Sequence, residues 1–125
     1  MTGLGRLLLA FLLLAIACQP VFADESTSPG RKIFESRCVS CHESSPPSTA
    51  TLGPSLAGIV GKKAGSGNSG VHSRALTESG IVWNRSSLRN YLVDPGRAVP
   101  GTIMPMRVEN PKELEDLLNY LETLR

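Results

Sequence analysis

Cys38-Val39-Ser40-Cys41-His42 is the stretch on which the reading of this chain turns. Residues three apart on a helix share one face. Two thiols so placed can form thioethers with the two vinyl groups of one haem, and the adjacent histidine then offers an imidazole nitrogen to the iron. The C-x-x-C-H pattern reads as c-type haem attachment. Three other readings use the same residues. A thioredoxin-type C-x-x-C accompanies a βαβ pattern, which is not visible here. A structural zinc site takes about four nitrogen or sulfur ligands, and only a distant His72 could join this pentapeptide. A plain disulfide between Cys38 and Cys41 is the least informative alternative.

Outward to the N-terminus, residues 1–23 read as a secretory signal peptide. Arg6 supplies the basic start, Leu7 to Ala17 the apolar run, and Pro20 the break. Val21-Phe22-Ala23 puts small or apolar residues at the cleavage positions. The apolar run falls short of the roughly 20 residues that span a membrane, so no permanent membrane span is expected. An uncleaved anchor and a lipid on Cys18 are the alternatives. Ala15-Ile16-Ala17 matches the usual Leu-led lipoprotein box poorly, so Cys18 is expected to leave with the signal. Haem c is attached outside the bacterial cytoplasm, which agrees with export and gives an expected periplasmic location.

Residues 24–125 then form one expected domain of about 100 residues. Its aromatic residues are Phe34, Trp83, Tyr91 and Tyr120, a thin supply for a core. A domain of this size buries a modest fraction of its surface, so a bound apolar body is expected to fill the centre. Loss of Arg6 leaves 12 basic against 11 acidic residues, a net charge of about +1. No basic block points to nucleic acid and no polybasic run to a membrane surface.

Ser28-Pro29 is a cap followed by a first-turn proline, and a helix from Arg31 to about Cys41 would place Ile33, Phe34 and Cys38 on one face. Residues 43–80 are rich in Ser, Gly, Pro and Thr and read as loop, with a helical turn near Ser73–Glu78. Asn84 caps a helix from Arg85 to Val93 whose Leu88, Tyr91 and Leu92 face inward, and Asp94-Pro95 ends it. Gly96 to Glu109 reads as a second loop. Asn110-Pro111-Lys112-Glu113 reads as a cap, a first-turn proline and a capping-box glutamate. Leu114, Leu117, Leu118, Leu121 and Leu124 follow at helical spacing to the C-terminus. No strand pattern is evident. Structureless loops this long are uncommon in a compact domain, unless they wrap a bound body.

Two signals are set aside. Gly65 to Gly70 fits G-x-G-x-x-G but does not join a strand to a helix, as a dinucleotide site requires, and reads as a flexible loop. Glu113, Glu115, Asp116 and Glu122 read as the wet face of the last helix. An iron with one histidine takes a sixth ligand from His72, Met104 or Met106. Methionine is often core filler, but Met104 sits in Gly101-Thr102-Ile103-Met104-Pro105, a loop not built for core packing.

From Gly30 to Leu121 the chain resembles class I cytochromes c, the group of mitochondrial cytochrome c and bacterial cytochrome c2. Gly30-Arg31-Lys32-Ile33-Phe34 is similar to the family's opening helix. Leu52-Gly53-Pro54-Ser55-Leu56 is similar to the loop whose proline carbonyl accepts the haem histidine's other N–H, which would pair Pro54 with His42. Trp83 matches the tryptophan that donates to a haem propionate, and Lys62 a position facing a propionate. Tyr91 matches the tyrosine that hydrogen-bonds near the methionine sulfur. Pro100-Gly101-Thr102-Ile103-Met104 matches the loop of the axial methionine, and Asp116 to Leu121 the closing helix. The separations from His42 to Met104, and from Trp83 through Tyr91 to Met104, agree with the family without gaps.

The resemblance implies an all-α class I cytochrome c fold, with N- and C-terminal helices crossed around one covalently bound haem c. It implies Cys38 and Cys41 as thioether residues, His42 and Met104 as iron ligands, and Pro54, Lys62, Trp83, Tyr91 and Thr102 around the group. It also implies outer-sphere exchange of one electron, Fe(II) to Fe(III), with donor and acceptor proteins, by a monomer that is not an enzyme. A small peroxidase or ligand-binding cytochrome, with an open sixth position, is the rival, and Met104 in its matching loop argues against it.

This chain departs from the family at several places. Met106 stands where an aromatic is common, Leu76 where mitochondrial forms have a buried amide, and His72 where they have a tyrosine. Gly96 and Ile103 replace lysines of the ring around the haem edge, residues 43–53 hold no Lys or Arg, and Arg37 and Arg97 remain. Partner contact is therefore expected to be short-range and apolar, through Met106, Val99, Ile103 and Pro105, unless Met106 only fills interior space.

Overall fold

A computed structural model describes residues 27–44, 52–67 and 71–125. The expected signal peptide, Cys18 and the end of the Gly65–Gly70 stretch lie outside them. The described residues form five helices, α1 (Pro29–Arg37), α2 (Arg74–Glu78), α3 (Arg85–Val93), α4 (Pro95–Ala98) and α5 (Pro111–Leu121). No strand forms among them, and a single antiparallel bridge pairs Lys63 with Val82.

The ends of these helices follow from short-range chemistry. Ser28 Oγ accepts from Arg31 N (3.2 Å), Ser73 Oγ from Leu76 N (3.1 Å), and Asn110 Oδ1 from Lys112 N (2.9 Å) and Glu113 N (3.1 Å). Each cap satisfies amide donors that a first turn leaves unpaired. Asn84 makes a reciprocal box with Ser87 ahead of α3.

Three boundaries differ from expectation. First, α1 stops at Arg37 instead of about Cys41. Cys38 N and Val39 N both donate to the Phe34 carbonyl (2.8 and 3.1 Å), a six-to-one closure of the kind that ends helices. Cys41 N and His42 N then both donate to Cys38 O (3.0 and 2.9 Å), so the Cys38–His42 pentapeptide is one tight turn after the helix. Second, Asp94-Pro95 ends α3 and also starts α4, because Asp94 Oδ1 accepts from Arg97 N (3.2 Å). Third, α5 ends at Leu121, and Leu124 packs on the core from the turn beyond.

α1 and α5 cross at Gly30, where a Cβ would stand 1.9 Å from the Asp116 carbonyl oxygen, so no larger residue fits. Phe34 and Tyr120 meet there with ring centroids 5.5 Å apart. Glu113 does not close the expected capping box. Its carboxylate accepts from Arg37 Nη1 at 3.0 Å, which ties α5 to the end of α1. Glu115 accepts from Arg85 and Arg89, and Glu122 from Arg85, which fastens α3 to α5. These acids of the outer face hold helices together as well as meeting water.

Candidate functional site

The core is hollow between α3, α5 and the loops. A cavity of about 430 Å³ opens there, within the roughly 300–1,000 Å³ of small-molecule sites. Cys38, Cys41, His42, Pro54, Lys62, Trp83, Tyr91, Thr102 and Met104 all line it, so the residues that the resemblance places around a haem converge on one cavity. Leu88 and Leu92 of α3, and Leu117 and Leu121 of α5, complete its apolar side. The sequence marked these leucines as core, and their i, i+4 spacing was the signal that each pair shares a face.

His42 is fixed by its second nitrogen. Nδ1 lies 2.7 Å from the Pro54 carbonyl oxygen. A carbonyl only accepts, so Nδ1 carries the proton and Nε2 keeps its lone pair. Gly53 makes this approach possible, since a Cβ there would stand 2.7 Å from Cε1 and 2.9 Å from Nδ1 of the imidazole. Gly53 was read only as part of a loop motif. Its own role comes from a through-space contact, which spacing does not reveal.

Cys38 is half-buried and Cys41 exposed, and no disulfide joins them. Burial pushes the Cys38 thiol pKa up. The neighbouring Arg37 opposes this, and Cys41 adds to it. Among the described residues no cluster of three or more His, Cys, Asp or Glu could hold a metal ion.

The loop after α4 carries Met104, which lines the same cavity. Tyr91 Oη lies 2.5 Å from Thr102 Oγ1, and Met104 N donates to that same oxygen at 3.5 Å. Tyr91 thus acts on the methionine's loop through Thr102. Burial raises the Tyr91 pKa, and the Thr102 bond lowers it in part. Trp83 is 5% exposed, with its ring 5.1 Å from that of Tyr91. Backbone bonds from Trp83 N to Lys62 O (2.9 Å) and from Gly61 N to Trp83 O (2.7 Å) hold it in place. Lys62 lines the cavity, but its ammonium donates to the Ala57 carbonyl at 2.5 Å, so part of its hydrogen-bonding capacity turns inward. Val99 is 4% exposed and packs in the core, so it cannot contribute to a contact surface as the sequence suggested. Ile103 is 59% exposed and Met106 half-buried.

The cytochrome c family model matches residues 27–125. The chain belongs to the cytochrome c family. It is 36% identical over 104 residues to "cytochrome c type-1" of Ascaris suum, covering 82% of this chain and 92% of that one. It is 30% identical over 118 residues to cytochrome c2 of Blastochloris viridis, covering 94% and 91%. Among solved structures it is similar to cytochrome cH from Methylobacterium extorquens, with TM-score 0.66, 35% identity, and coverage of 81% of this chain and 99% of that one.

Cytochromes c are electron-transfer proteins, not enzymes, and carry one covalently attached haem c with its iron. The cavity fits that group. A flat apolar body meets the leucine wall, the C-x-x-C pair lies on its rim, and the uncommitted Nε2 of His42 and the thioether of Met104 are nitrogen and sulfur donors of the type that holds haem iron.

Proposed function

We propose that this cytochrome is an exported, monomeric one-electron carrier, with haem c bound through Cys38 and Cys41 and its iron ligated by His42 and Met104. The bond from His42 Nδ1 to Pro54 O, with Met104 on the wall of the same cavity, carries the reading. The bound group supplies an Fe(II)/Fe(III) couple, and Met/His ligation raises its potential.

The protein's part is to keep that site rigid and dry. Pro54 fixes the tautomer of His42 and makes the imidazole a better donor, as outer-shell acceptors do. Tyr91 and Thr102 anchor the loop of Met104, and Trp83 would offer its indole N–H to a propionate, while the Lys62 ammonium is held by the Ala57 carbonyl. With His42 and Met104 both holding the iron, no position would remain for a substrate. The haem would then exchange electrons with donor and acceptor proteins without making or breaking bonds. Burial among Leu88, Leu92, Leu117 and Leu121 limits reorganisation around the changing charge.

Absorption spectra of both oxidation states, with and without carbon monoxide, test this reading. The natural protein should bind no carbon monoxide, and the oxidised form should show the weak sulfur-to-iron charge-transfer band. Met104→Ala should lose the band, bind carbon monoxide and fall in potential. If Met106→Ala does this and Met104→Ala does not, the wrong sulfur has been chosen. Acid–organic extraction should leave haem on the polypeptide. Residues 1–23 act as a cleaved signal in this reading, and the periplasm of a bacterium is the destination. The mass of the exported protein tests both, since a chain starting near Asp24 is expected and one retaining Cys18 with acyl chains would refute it.

A further inference from the structure

The segment that carries Met104 is suspended. At one end Thr102 N donates to Val99 O (3.0 Å) and Thr102 Oγ1 meets Tyr91. At the other, Val108, 2% exposed, donates its N–H to Leu92 O (2.8 Å). Between them, residues 103–107 make no backbone-to-backbone hydrogen bond among the described residues. An unbraced segment of this kind is the sort that opens locally at low cost.

Arg37 supplies the brace. It is the last residue of α1 and the immediate neighbour of Cys38. Its Nη1 pairs with Glu113 Oε2 at 3.0 Å, and its Nη2 donates to Arg107 O at 2.9 Å and lies 3.7 Å from Met106 Sδ. One planar guanidinium thus joins the attachment turn, α5 and the far half of the Met104 segment. Among the described residues, the other polar tie on this half is a looser contact between Arg107 Nη2 and Asp94 Oδ1 at 3.5 Å. The ion pair with Glu113 is partly exposed, and such pairs are worth little as stability. The fork geometry is what counts, because a rigid guanidinium holds several acceptors at fixed angles and an ammonium does not. Met106 gives the fork a soft, weak sulfur acceptor.

We propose that Arg37 is a positioning residue for the sixth ligand, acting through Arg107 and Met106 to hold the Met104 segment closed over the haem. The proposal rests on Met104 being that ligand.

The test uses the haem-loaded, full-length mature protein and added imidazole as a competitor for the Met104 position in the oxidised form. Arg37→Gln removes the fork. It should bind imidazole about tenfold more tightly than the natural protein, and a tenfold weakening of Met104 binding confined to the oxidised form raises a one-electron potential by about 59 mV. Glu113→Gln removes the ion pair but keeps both contacts to the segment, and should leave both readouts within twofold of the natural protein. If Arg37→Gln loads haem poorly, Arg37→Lys keeps the charge beside Cys38 without the fork and should move both readouts in the same direction. Unchanged imidazole affinity and potential in whichever Arg37 variant loads would overturn the proposal. So would an equal loss in Glu113→Gln, which would reduce the brace to its ion pair. Met104→Ala separates the two readings: loss of the charge-transfer band there with no effect at Arg37 sinks only the brace.

Discussion

The Pro54 carbonyl oxygen stands 2.7 Å from His42 Nδ1, and a residue with no side chain, Gly53, is what lets the two meet. Twelve residues separate the partners, and Leu56 N closes the intervening loop by donating to Glu43 O at 2.8 Å.

Gly53→Ala should push the imidazole off this acceptor. The added methyl has nowhere to go, since Cε1 lies 2.7 Å from its position and the Cys41 carbonyl 3.0 Å. Overpacking of this kind costs about 1–3 kcal/mol. Urea unfolding of the loaded protein should show a lower midpoint at unchanged slope. The potential should rise, because an imidazole that has lost its hydrogen-bond acceptor donates less charge to iron. A natural midpoint and potential together would mean that the loop yields freely.

Thr102→Val leaves the buried Tyr91 hydroxyl without its partner. An unsatisfied buried hydroxyl costs about 1–3 kcal/mol. The Thr102 bond lowers the Tyr91 pKa against the rise caused by burial, so its loss should push that pKa further up. Spectrophotometric titration should show Tyr91 ionising at higher pH in the variant. Tyr91→Phe with Thr102→Val removes both partners and should recover part of the lost stability. If the double variant is no better than Thr102→Val, the hydrogen bond is not what Thr102 contributes.

Most of this was legible in the sequence because it rests on short-range signals. Ser28-Pro29, Asn84 and Asn110-Pro111 start helices where their chemistry says they should. Leu88 and Leu92 face inward because helical spacing requires it. Cys38 to His42 needs no long-range information to be recognised. The less legible features depend on pairings across the fold. Glu113 has the spacing of a capping-box residue, yet Arg37, 76 positions away, takes its carboxylate. Val99 looks like a loop residue and is buried, since α4 turns it inward. Lys62 matches a propionate-facing position, yet its ammonium reaches a carbonyl five residues back.

Acid should weaken the α3–α5 clamp first. Hydrogen bonds from Arg89 and then Arg85 hold Glu115 down to a pKa of about 2 from an ordinary 4.5. A carboxylate lowered on folding adds stability that is fully present above the unfolded pKa and is lost as pH falls through the folded one. The clamp should therefore hold above about pH 4.5 and fade towards pH 2. Glu115→Gln should lower Tm at pH 6, and the gap from the natural protein should narrow steadily below pH 4.5 and close near pH 2. A gap that stays constant across this range would show that the charge of Glu115 contributes nothing.

The partner-facing surface should be nearly blind to salt. Mitochondrial forms resemble this chain in fold, but a lysine ring draws them to acidic faces from a distance. Here Gly96 and Ile103 occupy two of those positions, and the arginine beside the attachment turn is already taken: Arg37 pairs with Glu113. Arg107 turns to Asp94, Lys112 to Asp116, and Arg85 and Arg89 to Glu115. With a mature net charge of about +1, and screening over about 8 Å at physiological ionic strength, little remains to steer from afar. Ile103, 59% exposed on the cavity rim, and Pro105 beside it offer contact area instead. The second-order rate of electron transfer with the natural partner should change less than about twofold between 50 and 200 mM salt, where charge-steered association falls steeply. Ile103→Lys should slow the reaction with such a partner by removing apolar contact. A steep fall with salt in the natural protein, or a faster reaction in Ile103→Lys, would instead reveal an acidic partner that reads this cytochrome through charge.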